Sequence, residues 1–76
     1  MNILSYWSWE DQPSVLADKN TEDALAFYIP NGGQDWVPAR EYDVVQWFKE
    51  GREMPEEKFN SLFGVIGEDL PPLPPS

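Results

Sequence analysis

The chain has no cysteine and no histidine, and only five of its 76 residues are Lys or Arg. Without thiols it can form no disulfide and offers no thiolate nucleophile. Without imidazole it lacks the usual general base near neutral pH and the commonest metal ligand, so only carboxylates, hydroxyls and lysine remain for chemistry. No apolar run approaches the roughly 18 residues that a spanning helix requires. The segment Met1–Glu10 has no basic run ahead of its apolar residues and no small-residue cleavage pattern, so no secretory leader is expected and the cytoplasm is the expected compartment.

What is present is acid. Fourteen Asp and Glu give a formal charge of −9. That sign opposes direct binding to a phosphate backbone, which depends on Lys and Arg displacing counterions, and it opposes anionic lipid surfaces. A basic protein is the natural partner. Four Trp, three Tyr and four Phe set the chain apart from disordered acidic sequences, which are poor in aromatics, so a single domain with an aromatic core is expected.

Read for local structure, Asn2–Trp9 is an apolar and aromatic stretch with strand character. Glu10–Asp23 is mostly polar, contains Pro13, and is expected to be a loop despite the apolar trio Val15-Leu16-Ala17, with room in it for a short strand or turn. The segment Ala24–Pro30, followed by Asn31-Gly32-Gly33 and then Gln34–Pro38, predicts a β-hairpin with Pro30 and Pro38 at its strand ends, because Asn-Gly accepts the positive φ of primed turns. Arg40–Glu50 places Val44, Val45, Trp47 and Phe48 on a helical arc, with Asp43 and Gln46 near its start as capping candidates and Gly51 past its end. Pro55–Phe63 reads as a second helix with Pro55 at its first position. The proline-rich end from Gly67 is expected to be an extended, mobile tail, leaving residues 1–66 as the domain. The fold class is therefore α+β: an antiparallel sheet of about three strands around the Asn-Gly hairpin, with one or two short helices packed on one face.

Several constellations fall short of a chemical site. Asp18, Asn20 and Glu22 follow the alternate spacing of a calcium loop, but Asp23 stands where the sharp turn needs Gly and Ile29 where the bidentate Glu belongs. Asn31-Gly32-Gly33 lacks the Gly-Lys-Ser/Thr of a phosphate loop. Pro71-Pro72-Leu73-Pro74 looks like a polyproline ligand but lacks a flanking Arg. No metal and no cofactor is expected, and no enzymatic activity. A site built on paired carboxylates is a distant alternative, since it would need a pocket able to raise the pKa of one of them.

The first 39 residues hold six acids against Lys19 alone. The expected contact set is Glu10, Asp11, Asp18, Glu22, Asp23, Asp35, Glu41 and Asp43, gathered over one patch, with Trp9 as an aromatic anchor beside it. In size, acidity, lack of cysteine and aromatic density the chain resembles the short acidic proteins with which phages and mobile elements disable host machinery, including anti-CRISPR, anti-restriction and other DNA-mimic proteins. That resemblance implies a non-enzymatic inhibitor occluding a basic, nucleic-acid-handling protein of the host cytoplasm. The alternative is a small structural or adaptor protein, such as a virion or assembly component, that joins partners or further copies of itself through apolar contacts at Trp9, Trp36 or the proline tail.

Overall fold

The computed structural model describes the backbone of residues 2–20 and 23–74, and the side chains of residues 2–18 and 25–74. Strand β1 (Asn2–Trp9) turns directly into β2 (Gln12–Asn20), followed by β3 (Asp23–Tyr28), β4 (Val37–Pro38), helix α1 (Glu41–Glu50), β5 (Arg52–Met54) and helix α2 (Glu56–Phe63). The strands form one antiparallel sheet in the order β4-β3-β2-β1-β5. The class is α+β as expected, with five strands in place of three.

The largest departure is at residues 12–20, expected as a loop and found as the central strand. The register pairs Trp7 with Ser14 and Tyr6 with Val15 on one side, and Ser14 with Tyr28 and Val15 with Phe27 on the other. Short residues at Ser14 and Ala17 and branched Val15 suit a strand covered on both faces, where the polar-apolar alternation of a half-exposed strand is not required. Pro13 fits because it lies just beyond the last β2–β3 pair, Ser14 with Tyr28, near the strand end where a missing donor is tolerated; its carbonyl still accepts from Ile29 N–H at 3.2 Å.

The Asn-Gly segment also differs in detail. Gly33 N–H donates to the Pro30 carbonyl at 2.8 Å, and Gly32 has φ 82° whereas Asn31 is not among the residues of positive φ. Positive φ at the second central residue alone is the type II pattern; a primed hairpin turn of the I′ kind needs it at both. The segment therefore sits inside a longer connection, residues 29–36, and β3 and β4 pair only at Phe27 with Pro38 and Tyr28 with Val37.

The two helices lie on opposite faces of the sheet, not on one. Tyr6, Val15, Ala17, Phe27 and Met54 join Phe59 and Phe63 of α2 in one cluster. Trp7, Trp9, Leu16, Ala26 and Tyr28 join Val44 and Trp47 of α1 in the other. The cause is that β1, β2 and β3 carry apolar side chains at both parities, so both faces require cover. On the α2 face the rings of Tyr6 and Phe59 are 4.9 Å apart and those of Phe59 and Phe63 5.1 Å. On the α1 face Trp7 meets Phe48 edge-on at 5.0 Å and Tyr28 meets Trp47 at 6.1 Å.

Residues 67–74 lie against the domain, in place of the expected mobile tail. Leu70 is buried in the α2-face core and Leu73 packs beside it. The Trp36 indole Nε1 donates to the Pro71 carbonyl at 2.7 Å. Prolines stiffen the segment, so that fixing it costs little chain entropy. No helix among the described residues is long and apolar enough to cross a membrane.

Candidate functional site

The β1–β2 turn consists of two acidic residues, and both are left-handed: Glu10 has φ 50° and Asp11 φ 63°. With Trp9 opposite Gln12 in register, this is the two-residue hairpin whose geometry usually calls for Asn-Gly. Side chains with a Cβ resist this region, Glu more than Asp. The turn therefore holds two exposed carboxylates at a sheet end against the local preference of its own backbone.

The sheet brings further charge to this end. Helix α1 crosses from the β4 edge to the β5 edge, so that β5 pairs with β1: Ser8 opposite Arg52, Trp7 opposite Glu53. A groove of about 510 Å³ results, lined by Glu10, Asp11, Glu50 and Glu53 together with Arg52 and Lys58, with Met54 and Leu62 as its apolar part. Asp35 is exposed in the β3–β4 connection, which begins where Ile29 bonds Pro13 at the same end of the sheet.

The remaining expected contact residues are dispersed. Asp18 pairs with Asn2 at the far end of β2, about 20 Å from Gln12 at strand rise, so it cannot share a patch with Glu10 and Asp11. Glu22 lies outside the described residues, as does the side chain of Asp23. Glu41 is exposed in the first turn of α1. Asp43 is only 6% exposed, and its Oδ2 accepts from the Arg40 backbone N–H and from Arg40 Nε, each at 3.3 Å. It caps the helix and is unavailable to a partner. Trp9 is half-buried within the α1-face cluster, and Trp36 is buried and bonded to Pro71, so neither is a free aromatic anchor. The expected single patch thus reduces to the hairpin tip, where Glu50 and Glu53 join Glu10 and Asp11 in a groove that also holds Arg52 and Lys58, whereas Asp35 lies across three strands at the β4 edge. Sequence reasoning missed Glu50 and Glu53 because only the crossover of α1 carries them there.

Among the described residues no group of three acidic side chains is placed to hold a metal ion. Among the described residues Tyr6 has a shifted titration: burial, then the charge of Glu56 and hydrogen bonding to that carboxylate, push its phenol above the usual value of 10.0. Tyr6 belongs to the α2-face core, so this shift reflects packing. Comparison with known proteins finds no matching family model, no matching curated relative and no matching solved structure.

Proposed function

We propose that this chain is a non-enzymatic acidic binding protein of the cytoplasm that occludes a basic surface on a nucleic-acid-handling protein, with its contact centred on the hairpin tip. The carrying observation is the left-handed Glu10-Asp11 turn: backbone strain held at an exposed site points to function, and here it presents carboxylates beside Glu50 and Glu53. The mechanism is steric and electrostatic. A net charge of −9 steers encounter with a positive groove, and the tip then occupies the space that a phosphate backbone would take.

Competition against labelled duplex DNA for a panel of basic DNA-binding proteins, with basic proteins that do not bind DNA as controls, tests this reading. Displacement of DNA that weakens at least roughly tenfold between 50 and 200 mM salt is the expected result. Affinity indifferent to salt, or equal affinity for the controls, would overturn it. A second reading, an assembly component joined by apolar contacts, is supported by Tyr42, Val45 and Phe48, which stand 65%, 41% and 61% exposed on α1.

A further inference from the structure

The outer face of α1 carries three large apolar side chains that stay largely exposed, Phe48 with one edge against Trp7, and its charged flanks have a symmetry of their own. Outward from Val45 in both directions, Tyr42 is matched by Phe48, Glu41 by Lys49 and Arg40 by Glu50. All seven residues are exposed. We propose that this face is a self-association surface, on which two copies pack their α1 helices antiparallel about a two-fold axis at Val45.

In that arrangement residues equally far from Val45 on the two helices come to the same level, because each residue advances the helix by about 1.5 Å in opposite senses. Val45 meets its own copy. Tyr42 lies level with Phe48 of the second copy, and Phe48 with Tyr42, so four rings surround the central pair. Glu41 lies level with Lys49, each about 40° round the helix from Val45, so this pair of opposite charges flanks the seam twice over, as a closed two-fold interface requires. Arg40, bonded to Asp43, and Glu50 stand about 140° from Val45 and take no part in the seam. A parallel pairing would set Glu41 against Glu41 and Lys49 against Lys49.

Charge also selects this face over the rest of the molecule. The two charges that flank the seam, Glu41 and Lys49, cancel, whereas the chain as a whole carries −9. Two copies approaching at the hairpin tip would add local repulsion to that of the whole chains; at α1 the local charges add none. The apolar area is modest, roughly 300 Å² per protomer with Tyr42 and Phe48 dominating, so with its flanks the interface stands at the low end of specific contacts. The dimer is weak and forms with rising concentration. Because salt screens the overall repulsion, it strengthens or holds steady as salt increases, opposite to the behaviour of the hairpin-tip contact.

Sedimentation equilibrium on the full chain from roughly 10 µM to roughly 1 mM, at low and high salt, tests this. The expected result is a mass rising toward the dimer, at least as far in high salt as in low. Glu41→Lys, which lowers the net charge but sets Lys against Lys, raises the dimerisation midpoint at least about tenfold. Lys49→Glu does the same, and the double exchange E41K/K49E restores it to within about threefold. Circular dichroism confirms that each variant remains folded. A monomer throughout, or a dimer indifferent to E41K, overturns the proposal. The hairpin-tip reading is tested separately: Lys49→Glu, outside the groove, weakens the dimer while leaving DNA competition intact, and loss of competition in the parent chain would overturn that reading alone.

Discussion

Replacing Glu10-Asp11 by Asn-Gly isolates the strain in the β1–β2 turn. Both residues sit at positive φ, a region that costs a residue with a Cβ roughly 1–2 kcal/mol, less for Asp than for Glu. Asn tolerates it and Gly prefers it, but Gly adds about 0.5–1 kcal/mol of unfolded-state entropy. The balance is a gain of about 1 kcal/mol for E10N/D11G, which in a domain of this size raises Tm by about 4–8 °C. Part of any gain could come from relieving repulsion with Glu50 and Glu53, which share the groove. Thermal melts followed by circular dichroism at low and at 1 M salt separate the two contributions, because screening removes the electrostatic one and leaves the conformational one. A variant that melts at or below the parent temperature at 1 M salt would refute the reasoning. The same variant loses two tip carboxylates, so greater stability is expected to accompany weaker binding.

Three further changes probe the frame. Trp36→Phe removes the indole donor to the Pro71 carbonyl and is expected to cost about 1–2 kcal/mol in denaturant titration and to speed proteolysis of residues 67–74. Gly64→Ala places a Cβ at φ 103° against the Asp69 side chain and is expected to cost at least about 2 kcal/mol, whereas alanine at Gly67, where the surroundings are open, costs less. Tyr6 is held neutral by burial and by Glu56, with its folded-state pKa above 10.0. Its contribution is therefore complete below pH 10 and is lost as pH rises through the folded value; urea titrations in that range are expected to show a steeper decline for the parent than for Tyr6→Phe.

Much of the local structure was legible in the sequence, and most of the spatial arrangement was not. β1 matches its expected bounds, and both helices could be read from the spacing of Trp47 and Phe59 with their neighbours and from Gly51 and Gly64 at their ends. Pro55, expected at the first helical position of α2, is its N-cap, a shift of one residue. β2 escaped because its turn contains Glu-Asp, which carries no hairpin signature, and because a strand buried on both faces does not alternate. The Asn-Gly signal was real as a turn but misleading as a register, since Gly32 alone adopts positive φ. The candidate site suffered most from topology: Asp18 and Asp11 are near in sequence yet at opposite ends of β2, whereas Glu53 reaches the tip through the crossover to β5. Asp43 counted as surface charge until its bond to Arg40 removed it. What survives from the sequence is the sign of the charge and the exposure of Glu10 and Asp11 at one end of the sheet.

The most direct test of the hairpin-tip account compares association rates for a basic DNA-binding protein that the parent chain sequesters from DNA, using the charge-matched reversals D11K beside one end of β2 and D18K toward the other. The tip reversal is expected to slow association at least about tenfold at low salt, while D18K changes it less than about twofold. Equal slowing by the two variants would mean that bulk charge, not the strained acidic turn, drives the encounter.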